Sequence, residues 1–266
     1  MWALLVCGVT AALLAARWRR GGRPWFDGFE HDAMRLFVRL WHRCSAVAPA
    51  LLPAQGPVLV VANHPNHSDP AFLLASCARP LGFLHAREQY NVFLLRQLFR
   101  RAGCIPVARD GRDVAGTRLA LRRLHEGAAL VIFPEGEVSR PGRDGMAPAK
   151  AGIAFLALRS RAPVYPVWIE GGPQRHDLLR DWLWPSRGVR LFFGPAVDLV
   201  PYYGRPIDRK LLQEVAALLL RRLADLRPDP KDNPGPRKQK SEVRSQKQQA
   251  CPGRRPPACG VLSADS

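Results

Sequence analysis

From residue 57 to residue 226, short apolar runs of strand length alternate with stretches of helical spacing, and three of the runs stop at a polar cluster. The runs occupy 57–62, 82–85, 104–108, 129–133, 164–169 and 189–193. Between and around them the spacing predicts helices over 31–46 (Met34, Leu36, Phe37, Leu40 and Trp41 on one face), 71–78, 92–101, 113–126 with Gly127 at its end, 150–160 and 207–226. Parallel neighbours need crossover connections, and helices that supply them cover both sheet faces. The alternation therefore predicts an α/β fold, a mixed, largely parallel sheet flanked by helices, with no internal repeat.

In open sheets of this kind ligands bind just beyond the strand ends. The clusters lie there: Asn63-His64-Pro65-Asn66-His67-Ser68-Asp69, Pro106-Val107-Ala108-Arg109 and Pro134-Glu135-Gly136-Glu137-Val138-Ser139-Arg140. They are expected to share one site. His64 and Asp69 stand five positions apart across a turn containing Pro65 and Pro70. A carboxylate so placed can curl back to the imidazole, fix its tautomer and leave the other ring nitrogen free to take a proton from a hydroxyl. Ser68 and Ser139 lack the G-x-S-x-G surroundings of an acyl-serine nucleophile. His64 and His67 form an H-x-x-H pair without a third ligand at recognisable spacing, so no metal is expected, and His67 is assigned a packing or local hydrogen-bonding role. Arg109 and Arg140 each follow a strand and suit a phosphate or carboxylate group. Gly136 implies a tight turn that brings backbone N–H groups near a ligand, and Lys150 opens the next helix.

The chain carries 40 Lys plus Arg against 22 Asp plus Glu, a net +18, which points to an anionic partner. Hydrophobic residues make up 47%, enough for a core, which excludes a wholly disordered chain. Six scattered cysteines offer neither a disulfide framework nor a zinc site. Residues 2–16 are uncharged and end at Arg17, Arg19, Arg20 and Arg23. This stretch is read as a short membrane span or an interfacial anchor, the alternative being a buried helix, and the basic flank puts the body on the cytoplasmic side. Residues 227–266, rich in Pro, Lys, Arg, Gln and Ser, read as a disordered basic tail of net +5, leaving +13 on the body. The expected organisation is an apolar anchor with basic flank over 1–24, one globular domain over 25–226, and the tail.

Four blocks in order, Asn63-His64 with Asp69, the 103–109 segment Gly-Cys-Ile-Pro-Val-Ala-Arg, the 133–140 segment Phe-Pro-Glu-Gly-Glu-Val-Ser-Arg, and the 162–169 segment Ala-Pro-Val-Tyr-Pro-Val-Trp-Ile, resemble those of the glycerolipid (1-acylglycerol-3-phosphate type) acyltransferase family. The resemblance spans about residues 55–200. It implies that family's fold and transfer of an acyl group from a thioester, acyl-CoA or acyl carrier protein, to the hydroxyl of a lysophospholipid or related glycerolipid, with no further cofactor. Carried over by position, His64 is the general base and Asp69 its orienting partner, while Arg109, Glu135, Gly136 and Arg140 fall on acceptor-binding positions. Arg87-Glu88 and Lys150-Ala151-Gly152 resemble two further family steps. Asn66 stands where the family often has Ser, and Glu137 where Thr usually follows Phe-Pro-Glu-Gly.

The expected partners are thus an acyl thioester, a lipid acceptor and an anionic membrane surface. Two alternatives stay open. One is an acyltransferase with a non-phosphate lipid acceptor. The other is a non-catalytic basic protein binding membrane or nucleic acid; the absence of a nucleic-acid fold signature and of aromatic residues in the tail argues against nucleic acid.

Overall fold

The structure, a computed structural model, describes residues 25–46, 52–88, 103–108, 113–138, 149–173, 177–186 and 188–228. The expected anchor, the helix over 92–101 and nearly all of the tail lie outside them. Along the chain the elements are α1 (Trp25–Trp41), β1 (Cys44–Ala46), β2 (Val58–Ala62), α2 (Asp69–Ser76), β3 (Gly82–Ala86), β4 (Ile105–Val107), α3 (Val114–His125), β5 (Ala129–Ile132), α4 (Ala151–Ser160), β6 (Val164–Gly171), α5 (Leu178–Leu183), β7 (Val189–Phe193), a 3₁₀ turn (Val200–Tyr202) and α6 (Arg209–Ala224).

β2 is buried at every residue because it serves two cores at once. Leu59 and Val61 enter a layer completed by Ala120 and Leu124 of α3, Ile153 and Ala157 of α4, and Val215 and Leu219 of α6. Val58, Val60 and Ala62 face the other way, toward Val38 of α1 and Ala71, Phe72 and Ala75 of α2. A strand covered on both faces is uniformly apolar, which is why it reads as a Val/Leu run in the sequence.

The strands lie in the order β1-β7-β6-β2-β5-β3-β4. All neighbours run parallel except β6 and β7, which pair antiparallel from Val167↔Phe193 to Gly171↔Val189. This is the mixed, largely parallel sheet that the alternation predicts. Its central strands β2 and β5 end together, so the loops opening at Asn63 and Phe133 meet at one edge, and β6 runs on past Val167, the partner of Ala62, to Gly171 beside them.

Helix boundaries, and one helix, depart from the periodicity. The helix expected over 31–46 ends at Trp41; Arg43 takes φ 49, and Cys44–Ala46 turns into an edge strand beside β7. The helix expected from residue 71 begins at Asp69, with Pro70 in its first turn, where a missing N–H costs nothing. α5 was not foreseen at all.

Asp113 shows how one side chain fixes a junction. Its Oδ1 accepts Gly116 N at 2.8 Å, capping α3, while Oδ2 accepts Ala108 N and Arg87 Nη2, each at 2.7 Å, tying the exit of β4 to the same cap. These bonds, the Gly116 and Ala108 N–H groups foremost, hold its carboxyl below the usual carboxylate range. A folded-state pKa below the unfolded one gives stabilisation that is full above the unfolded value and is lost as pH falls through the folded one. Asp113→Asn is therefore expected to cost about 1 kcal/mol at neutral pH. In urea unfolding the gap to wild type narrows on acidification; a pH-independent gap contradicts this account.

Candidate active site

The first loop is fastened before it reaches its histidine. Asn63, the residue leaving β2, donates from Nδ2 to Ile169 O at 2.8 Å and accepts Ile169 N on Oδ1 at 2.6 Å, so a side chain extends the β2–β6 ladder by one step. The chain then turns through Pro65 and comes back at Asp69. Asp69 Oδ2 lies 2.9 Å from His64 Nδ1 and also accepts Asn66 N at 2.9 Å. The His64 side chain is 15% exposed and that of Asp69 fully buried. The imidazole stacks on Phe133, ring centroids 4.0 Å apart and planes 14° from parallel. Bond and stack together fix both the direction and the tilt of the ring.

Burial pushes the Asp69 carboxyl up, opposed chiefly by the His64 hydrogen bond and charge and then by the Asn66 N–H. Its ionised form therefore depends on the imidazole beside it. With Asp69 accepting from Nδ1–H, Nε2 is the ring's basic nitrogen. Oδ1 of Asp69 is buried with no hydrogen-bond partner, so Oδ2 carries the orientation.

The second cluster adjoins the first because β5 pairs with β2. Glu135 is buried, and its Oε1 receives His64 N in a long contact of 3.5 Å. Gly136 has φ 71 and donates to Phe133 O at 3.0 Å, closing the tight turn. A Cβ there would come within 2.7 Å of Lys150 Nζ, so the lysine at the start of α4 lies across the bare face of this glycine. His64, Asp69, Glu135 and Gly136 are thus brought together, and Lys150, the start of the Lys150-Ala151-Gly152 step, joins them.

Arg109 and Arg140 lie outside the described residues. The strand leading to Arg109, β4, is at the sheet edge, three positions from β2. Arg87 pairs with Asp113. The local role expected for His67 is corrected: its Nδ1 and its backbone N lie 2.9 and 3.2 Å from Oδ2 of Asp181, a residue of α5 far along the chain. Among the described residues no group of three or more His, Cys, Asp and Glu is placed to hold a metal ion. Phe133, Asn63 and Asp181 are the site residues whose roles went unread. Asn63 and Phe133 flank the recognised motifs, and Asp181 had only the Asp177 cap, which accepts Arg180 N at 2.9 Å, as a local sign of its helix.

Residues 46–170 match the model of the family described as Acyltransferase. An uncharacterised protein of Mycobacterium tuberculosis is 28% identical over 191 residues, covering 64% of this chain and 49% of its own length. A chloroplastic 1-acyl-sn-glycerol-3-phosphate acyltransferase of Brassica napus is 26% identical over 181 residues, 63% of this chain and 52% of that protein. The chain thus spans about half the length of these curated relatives. In fold it resembles the crystal structure of the 1-acyl-sn-glycerophosphate acyltransferase PlsC from Thermotoga maritima, with a TM-score of 0.61 over 83% of this chain and 90% of that one at 21% identity. The matched segment, the relatives and the shared fold agree with the four motif blocks in pointing to the glycerolipid acyltransferase family.

Proposed function

We propose that this chain transfers an acyl group from a thioester, acyl-CoA or acyl carrier protein, to a hydroxyl of a lysophospholipid or related glycerolipid. The observation that carries this reading is the His64–Asp69 pair, held at 2.9 Å and set against the Phe133–Gly136 turn. Nε2 of His64 takes the proton of the acceptor hydroxyl as its oxygen attacks the thioester carbonyl. The C–O bond forms, the C–S bond breaks, and the departing thiolate takes the proton back from the imidazolium. Asp69 fixes the tautomer and stabilises the transient cation. The thioester is already activated, so the protein's task is to place the hydroxyl and remove its proton. Glu135, Gly136, Arg109 and Arg140 are assigned to the acceptor, the two arginines to an anionic headgroup.

The substrates are lipids, and a surface beside the site suits a membrane. Leu36, Leu40 and Trp41 of α1 and Leu183 and Trp184 at the end of α5 are exposed, Leu40 by 72% and Leu183 by 68%. Trp41 Nε1 donates to Leu183 O at 3.1 Å, which joins the two groups into one patch. Exposed Arg39, Arg43 and Arg180 stand within three residues of the patch along the chain, a combination that fits an anionic interface. Among the described residues no helix is long and apolar enough to cross a membrane. The basic residues following the apolar 2–16 stretch support a cytoplasmic placement of the domain.

The test follows labelled acyl thioester into extracted lipid with a panel of acceptors. Transfer to a lysophospholipid is expected, and Arg140→Ala should lower it about tenfold or more while sparing an uncharged acceptor. Equal losses on both acceptors sink the headgroup assignment, and label found only in free fatty acid sinks the transfer reading.

A further inference from the structure

We propose that Asp181, on a helix beyond the matched segment, is a positioning residue for the His64–Asp69 pair, acting through the turn that joins them; this rests on the acyltransferase reading above. The turn between His64 and Asp69 has to present Asn66 N to Asp69 Oδ2, since that bond and the His64 bond share the one oxygen that orients the ring. Within the turn itself Ser68 N donates to Asn66 Oδ1 at 2.9 Å. Ser68 O accepts Ala71 N at 2.9 Å and Phe72 N at 3.2 Å in the first turn of α2, and Asp181 supplies three further contacts to residues 67 and 68. Its Oδ2 accepts the backbone N and faces the ring Nδ1 of His67, and its main-chain oxygen accepts Ser68 Oγ at 2.9 Å.

The result is two imidazole–carboxylate pairs in series. Each has a histidine Nδ1 at 2.9 Å from an oxygen of a fully buried aspartate, and the residues between the histidines carry Asn66. The two carboxylates also sense each other, for the charge on Asp181 pushes the Asp69 carboxyl up. Asn66 cannot slip outward, because Gly172 passes so close that its Cα has no room for a side chain beside Asn66 Nδ2. Asp181 bonds residues 67 and 68 while Gly172 packs against the Asn66 side chain, so the turn that presents Asn66 N is held at both points. Preorganisation of this kind acts on the chemical step rather than on substrate binding.

Asp181→Asn keeps the shape and removes the charge. In the full chain, assayed with labelled acyl-CoA and lysophospholipid vesicles, it is expected to lower kcat about 10- to 100-fold while both KM values stay within about twofold. His67→Gln, which retains the backbone N–H bond and loses the ring, should fall between it and wild type. The downfield Nδ1–H proton resonance of His64 should shift or broaden in Asp181→Asn. An unchanged kcat in Asp181→Asn, a loss no larger than the unfolded fraction seen by circular dichroism, or a rise in KM alone overturns the proposal. Should Asp181→Asn not fold, His67→Gln decides: a lower kcat at constant KM supports the proposal, and wild-type kcat overturns it. Wild-type transfer together with an indifferent Asp181 would sink this inference alone, whereas a wild type unable to transfer acyl groups would sink the reading it rests on.

Discussion

His64→Ala should reduce acyl transfer about 10²- to 10⁴-fold, the range a positioned general base supplies, with the loss in kcat. The fold is expected to tolerate the change. The ring lies at the edge of the core with 15% of its side chain exposed, and the carboxylate it leaves behind has a way out. Without the imidazole, the strongest force opposing burial at Asp69 is gone and its carboxyl is pushed further up, which favours the neutral form over an unpaired buried charge. Asp69→Asn probes the same pair from the other side. The asparagine amide oxygen can still accept from His64 Nδ1 and Asn66 N in place of Oδ2, but the negative charge that stabilises the imidazolium is gone, and a loss of about 10²-fold or more follows. Circular dichroism and thermal melting on both variants separate lost chemistry from lost structure. Transfer within tenfold of wild type in His64→Ala, at a comparable folded fraction, removes His64 from the mechanism.

Gly172→Ala should be strongly destabilising. Gly172 has φ 96, a backbone conformation that costs a non-glycine residue about 1–3 kcal/mol. The added methyl would also collide with Nδ2 of Asn66, a side chain with no exposed surface, and overpacking of that kind costs about 1–3 kcal/mol more. A total of about 3 kcal/mol or more is expected as a lower urea midpoint at unchanged m-value. The folded remainder should also turn over slowly, because displacing Asn66 moves the N–H that helps orient Asp69. Stability within about 0.5 kcal/mol of wild type would mean that the loop relaxes freely and does not clamp Asn66.

How much of this was readable in advance depended on chain distance. The His64–Asp69 pair lies within one strand-to-helix turn, so residue types and spacing sufficed to bring the two together on paper. β2 was legible because a strand buried on both faces has no polar positions to obscure it. Helix ends were less so, since caps rather than periodicity set them: the final helix, expected from residue 207, begins at Arg209 because Asp208 Oδ1 accepts Leu211 N at 2.7 Å. β1 and α5, three and six residues long, are too short to show a period. The Phe133 stack on His64, the Asn63–Ile169 exchange and the Asp181 anchor are tertiary contacts with no local pattern at either end.

The bond from Asn63 to Ile169 spans 106 residues and that from His67 to Asp181 spans 114. Contacts so far apart along a chain close late, and a ribosome delivers the histidine well before the residues that steady it. On the proposed mechanism, the base is then present but unaimed during synthesis, and its geometry is complete only after α5 has emerged and docked. Protease resistance of stalled chains cut before and after Asp181 would trace that moment.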